Sequence, residues 1–182
     1  MSSRDTPQCD HERLFLGVMK PDQLPGRVID ELRALKAEGK VRRIGMSCHD
    51  RKFIGTCAAD GVFDTYMVRY NAAHRGAETE IFPHLGPHDP AVISYTATRW
   101  GFLLRRPKGY PPDGRIPTPA ECYRFVLSRP EVDVVLTAPS NLDQLKENLT
   151  ALESVLLDPE ELRFMQEFGD LVHQQNKRFM GG

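Results

Sequence analysis

Short, mainly apolar runs recur at residues 14–19, 41–46, 63–70, 91–95 and 132–136, and none keeps up a strict apolar–polar alternation. A strand that is apolar at successive positions is buried on both faces, the condition of a parallel sheet covered by helices. Between the runs, apolar residues return at helical spacing. Val28, Ile29, Leu32 and Leu35 lead up to Gly39, a helix stop. Asp50 is placed to cap a helix carrying Phe53, Ile54, Cys57 and Ala58, which Gly61 ends. A short helix over 78–85 is broken by Gly86 and Pro87. Thr118 and Pro119 open a helix through Cys122, Phe125 and Val126. Asn141 opens another, with Leu142, Leu145, Leu149 and Leu152 on one face. Asp158-Pro159-Glu160-Glu161 starts a last helix running to about Lys177.

The rhythm is five strand–helix units plus one further helix, the signature of the α/β class. An open doubly wound sheet and a segment of a (β/α)₈ barrel both fit. No GxGxxG or GxxxxGK[ST] follows any strand, which favours the barrel. A complete barrel takes eight strands and roughly 250 residues. This chain of 182 residues supplies five strands. The expected fold is therefore a partial (β/α)₈ TIM barrel, five parallel βα units and a C-terminal helix, over residues 14–182. A polar lead over 1–13 is expected to be disordered. The 96–117 connection is long for a compact domain and rich in proline, as functional or mobile loops are.

With 40% apolar and 27% charged residues the composition is that of a soluble globular protein. A formal net charge of −1 gives no pull toward nucleic acid or an anionic membrane. No run reaches the roughly 20 apolar residues of a membrane span, and the first residues lack the apolar core of a signal peptide. A cytoplasmic location is expected. Cys9, Cys48, Cys57 and Cys122 are scattered without a CxxC pair, so neither zinc nor disulfides are expected. His74, His84 and His88 have no metal-binding spacing, because Pro87 interrupts the last pair. Arg99, Arg105, Arg106 and Lys108 form a basic stretch that reads as a solvated loop.

The segment Gly39-Lys40-Val41-Arg42-Arg43-Ile44-Gly45-Met46-Ser47 resembles the "GKVRxIGvS" strand of aldo-keto reductases. Tyr70-Asn71 resembles that family's "YN" strand end, and residues 92–97 resemble its "viaYsP" strand. Leu136-Thr137-Ala138-Pro139-Ser140, followed by Leu145-Lys146-Glu147-Asn148-Leu149, resembles its last strand and "EENL" helix. These collinear segments correspond to the C-terminal five-eighths of the family barrel. The resemblance implies an oxidoreductase that reduces a small carbonyl compound by hydride transfer from NADP(H) or NAD(H). It also implies cofactor-binding roles. Ser47 would hold the nicotinamide carboxamide, with Cys48 in place of the usual Asn, and Tyr95 would stack on the nicotinamide ring. Thr96 and Ala97 would line the pyrophosphate loop. Thr137, Ala138, Pro139 and Ser140 would approach the adenosine end, beside Gln144, Glu147 and Asn148.

The chain also departs from the family pattern. The catalytic Asp, Tyr and Lys would lie upstream of Leu14, and Gly17, Val18 and Met19 stand where the fourth-strand His belongs. No catalytic residue is therefore assigned, and the chain reads as truncated. Met67 replaces the sixth-strand Gln, and Ala138 and Gln144 replace the basic residues that grip a 2′-phosphate. The alternative expectation is a non-catalytic half-barrel that binds or assembles. An incomplete barrel exposes two sheet edges and an apolar interior, which favours self-association.

Overall fold

The computed structural model describes residues 13–18 and 20–177. Five parallel strands form one sheet: β1 (Arg13–Val18), β2 (Arg43–Cys48), β3 (Thr65–Arg69), β4 (Ala91–Tyr95) and β5 (Val134–Val135). They lie side by side in chain order, with no crossover. An open doubly wound sheet reverses its strand order, whereas a barrel does not. The observed order is that of a barrel segment. Six helices accompany the strands: α1 (Gly26–Ala37), α2 (Arg51–Ala59), α3 (Ala77–Glu80), α4 (Pro119–Leu127), α5 (Leu142–Leu149) and α6 (Pro159–Lys177).

The predicted punctuation is present in atomic detail. Gly39 takes a φ of 73° and donates its amide to Lys36 O, ending α1. The Asp50 carboxylate caps α2 by accepting from the Phe53 amide at 3.1 Å. Thr118 and Glu121 form a reciprocal capping box at α4, with bonds of 3.2 and 2.8 Å.

Several boundaries differ from the sequence expectation. β2 is shifted by two residues, because the Lys40 and Val41 amides are still bonded to Leu35 O at the end of α1. The strand expected over 63–70 is paired only over Thr65–Arg69. β5 is reduced to two residues, although the Asp133 and Leu136 amides also bond to β4. The helix expected over 78–85 is two short pieces, α3 and a 3₁₀ turn over Phe82–His84, separated at Ile81, just before Pro83, which has no amide proton to continue α3. Arg13 belongs to β1, while the rest of the expected disordered lead, and Met19, lie outside the described residues. The leucine face of α5 is largely uncovered: Leu142 and Leu149 are exposed, as is Leu152 beyond the helix, and only Leu145 is half-buried.

One face of the sheet carries the core. Met46, Tyr66 and Val92 lie in one cross-strand row, fully shielded beneath the helices with Ile54, Phe125 and Phe168. Tyr70 continues this layer, its ring stacked on Phe125 at 5.7 Å and meeting Phe82 edge-on at 5.3 Å. Two aspartates before strands repeat one device. Asp64 accepts from the Ile44 amide at 2.9 Å and Asp133 from the Val92 amide at 2.7 Å, each tying an incoming strand to its neighbour. Asp64 also takes a hydrogen bond from Lys36 at 2.6 Å. Burial disfavours its ionised form, but Lys36, the Ile44 amide and Arg43 outweigh that and hold its pKa below the ordinary value.

The 96–117 connection is built into the fold. Leu103 is fully buried, Tyr110 meets Phe168 edge-on at 5.3 Å, and Lys108 exchanges two hydrogen bonds with Gln175 of α6. Among the described residues, no helix is long and apolar enough to cross a membrane.

Candidate functional site

In a parallel sheet all strands finish at one edge, where the backbone turns and polar groups face a crevice. β2, β3 and β4 finish at Cys48, Arg69 and Tyr95. Because side chains alternate across a strand, the residues at this edge divide into two sets. Cys48, Val68 and Ser94 point into the helix-covered core. Ser47 and Met67 are register partners on the opposite, open face, followed one inward position higher by the pair Arg69 and Tyr95. Ile93 shares the Met67 row and, though buried, stands apart from the main core cluster.

Ser47 and Tyr95 therefore share one face. Ser47 is half-buried, and its hydroxyl makes no hydrogen bond among the described residues. The Tyr95 ring is also half-buried. Burial raises the phenol pKa, partly opposed by the Arg69 charge, so Tyr95 is a protonated phenol at neutral pH. Cys48 does not join them: its thiol is buried on the other face and accepts from the Asp50 amide at 3.4 Å.

The loop after β4 is held by the loop after β3. Asn71, fully buried, donates from Nδ2 to Thr96 O at 2.9 Å and accepts the Ala73 amide at 3.1 Å. Thr96 sits at a φ of 59°, its hydroxyl donating to Tyr95 O at 2.7 Å, while Ala97 is packed inside. At the end of β5 the candidate residues bond mainly to one another. The Thr137 hydroxyl lies 2.8 Å from both Tyr123 Oη and Asn148 Nδ2. Gln144 accepts the Ser140 amide at 2.8 Å and donates its own amide to Asn141. Ala138 and Glu147 are exposed and Pro139 is half-buried.

Three residues at this edge have a standing that the sequence reading did not give them. Arg69 ends an otherwise apolar strand, and its period-2 spacing from Met67 is the signal that aims it at the open face. Arg99, read as part of a solvated basic stretch, is 5% exposed, whereas Arg105, Arg106 and Lys108 do face solvent. Charge runs do not distinguish a residue turned inward by a left-handed backbone, here a φ of 51°. His74 packs edge-on against His173 with ring centroids 5.3 Å apart, and its Nε2 is buried without a hydrogen bond.

Burial, then the charges of Arg99 and Arg69, push the His74 pKa from 6.5 down to about 3. The unfolded chain takes up this proton first as the pH falls. The stability His74 contributes is thus present above about pH 6.5 and is lost progressively toward pH 3. Thermal melts between pH 7.5 and 5 are expected to show this loss, approaching about 1.4 kcal/mol per pH unit at its steepest. In His74→Gln that part of the slope is expected to flatten.

Among the described residues, no three His, Cys, Asp or Glu side chains converge as a metal site. The arrangement instead offers a flat aromatic ring and a free hydroxyl on one face at the strand ends. That suits a planar, amide-bearing ring.

The aldo/keto reductase family model matches residues 6–119. Two solved structures of aldo-keto reductase AKR11C1 from Bacillus halodurans, apo and holo, superpose with a TM-score of 0.70 at 25% identity. Each match covers 86% of this chain, and 61% (apo) or 60% (holo) of the reductase. The chain thus spans less than two thirds of the length of these structures. No match is found among curated proteins. The family model covers more than half of the residues, over four of the five strands in their barrel order, and the chain belongs to the aldo/keto reductase family.

Proposed function

We propose that this chain binds NADP(H) or NAD(H) across the ends of β2 to β5, as part of a reductase for small carbonyl compounds. The observation that carries the reading is Ser47 and Tyr95 on one face of the sheet, the hydroxyl unbonded among the described residues and the ring half-buried. Tyr95 offers its ring to the nicotinamide, and Ser47 a hydrogen bond to the carboxamide. The bound cofactor supplies a hydride to the carbonyl carbon. Met67 and Ile93, on the same face, keep water from that surface. No side chain of this chain is assigned as the proton donor. Titration with NADPH and NADH, followed by cofactor fluorescence, tests the reading.

The adenosine end makes a separate expectation. Ala138 and Gln144 put no positive charge there, so NADPH is expected to bind no more tightly than NADH. Gln144→Arg adds a guanidinium that can pair with a 2′-phosphate. It is expected to shift the ratio of dissociation constants toward NADPH by about tenfold. An unchanged ratio, measured with both cofactors, removes residue 144 from the 2′ end.

A second reading, a non-catalytic assembly module, is favoured by apolar surface on the open face of the sheet. Phe15, Val134 and Leu136 are 37%, 44% and 43% exposed. A second copy of the chain is its occupant in this reading. Oligomeric mass measured in the titration sample separates the two: a chain that binds cofactor supports the first, and a dimer indifferent to cofactor supports the second.

A further inference from the structure

Helix α6 is held to the fold unevenly along its length. Its first half buries Met165, Phe168 and Gly169. Beyond Gly169, a poor helix former, the last two turns over residues 170–177 are fastened differently. Among their described side chains only Val172 is buried, while Leu171 is 39% exposed. The remaining holds are polar. Asp170 pairs with Arg75 at 2.8 Å, and Gln175 exchanges bonds of 2.9 and 2.7 Å with the Lys108 backbone. Between these two lies His173, edge-on to His74 with ring centroids 5.3 Å apart. A helix end held by one buried apolar side chain and exposed polar bonds opens at lower cost than the core does.

We propose that the last two turns of α6 are an acid-released latch, closed on the loops after β3 and β4 by a neutral His74. The geometry makes His74 the sensitive part. Its Nε2 is buried with no hydrogen-bond partner among the described residues. A protonated ring would carry its charge to a place that offers Nε2 no acceptor. The groups around it are cationic or already engaged. Arg99 after β4, Arg69 on β3, His173 on α6 and Arg51 on α2 all oppose its protonation. Arg75, its neighbour in the chain, is paired with Asp170, and Arg51 with Glu80. Opening the latch takes His173 off the ring and admits water. The released chain then takes up the proton near the ordinary imidazole pKa of 6.5, the closed chain only near about 3. Falling pH therefore favours release.

The latch reaches the strand ends through two contacts. Release frees the Lys108 backbone from Gln175, and with it the connection after β4. His74 also closes the loop after β3, its amide donating to Asn71 O at 2.9 Å, and Asn71 holds Thr96 O beside Tyr95. The device stands whether or not the chain binds a cofactor.

The test is hydrogen exchange of the full chain, read by mass spectrometry between pH 7.5 and 5, with each rate divided by that of unstructured peptide at the same pH. Peptides over 170–177 are expected to be less protected than those over 159–168 and over β2 to β4. Their protection is expected to fall as the pH is lowered, by up to about thirtyfold across this range. In His74→Gln the fall is expected to vanish, whatever the variant does to overall stability. Asp170→Asn, which removes the ion pair and keeps His74, is expected to lower protection at every pH and to retain the slope. Protection over 170–177 that changes by less than about twofold overturns the proposal, as does a slope that His74→Gln keeps. Equal protection of the two halves of α6 overturns it as well, because the helix then leaves only as a whole. NMR of the parent chain gives a check that needs no variant. The His74 ring is expected to stay neutral down to pH 5, and a ring that titrates near pH 6.5 contradicts the closed latch.

Discussion

Gly169→Ala is expected to lower the stability of the folded chain by about 2 kcal/mol, a fall in melting temperature of about 4–8 °C. Gly169 is buried in α6, and a Cβ built there would overlap the Ala72 carbonyl, with the Ala72 Cβ 3.0 Å away. The obstacle is backbone, so no rotamer change relieves it. Overpacking of this kind costs about 1–3 kcal/mol, and helix propensity returns only up to about 1 kcal/mol when alanine replaces glycine. The same contact is fastened by Arg75, which donates to Ala72 O at 2.8 Å and to Gln166 O at 3.1 Å. Gly26 at the start of α1 is the control, since a Cβ there meets nothing within 4 Å. Gly26→Ala is expected to melt at or above the parent temperature. A Gly169→Ala chain with unchanged melting temperature would show that α6 does not seat on this loop.

The clamp matters for the site because the loop after β3 runs from Ala72 directly into the strand edge. Asn71 joins it to Thr96 O, next to Tyr95. Displacing α6 is thus expected to loosen the Tyr95 backbone as well as the core.

Tyr95→Ala is expected to weaken cofactor binding by about tenfold to a hundredfold, the loss that follows when a ring is removed from under a stacked base-like ring. Stacking uses the ring rather than its hydroxyl: the phenol oxygen forms no hydrogen bond among the described residues, and burial keeps it protonated. Tyr95→Phe is therefore expected to retain affinity within about threefold, and the Ala and Phe variants together separate stacking from hydrogen bonding. Fluorescence titration with NADH, whose binding does not depend on a 2′-phosphate, is the cleanest readout. Equal weakening by Ala and Phe would assign the role to the hydroxyl instead.

Much of this architecture was written in the sequence in physically simple terms. Apolar runs without alternation gave a parallel sheet, and Gly39, Asp50 and Thr118 marked helix ends because backbone conformation and unpaired amides demand those residue types. Ser47 and Tyr95 entered as site candidates through the resemblance of their strand ends to aldo-keto reductase segments, not through the apolar pattern alone. The rest depended on distance in space. The pairing that shortens β5 lies on β4, and the Leu142 and Leu149 face is apolar in sequence yet finds no cover among the described residues. Cys48 differs from Ser47 by one position, which in a strand is the difference between core and crevice. Arg99 looked like one member of a solvated run until its left-handed backbone turned it inward, where no carboxylate among the described residues pairs with it.

The most direct measurement is saturation of the unmodified chain with NADPH and NADH, following cofactor fluorescence and confirming by calorimetry that one site fills per chain. The account predicts saturable binding of both, in the micromolar range, with Tyr95→Ala shifting both curves to the right. A folded chain that leaves the fluorescence of both cofactors unchanged and releases no heat would contradict it.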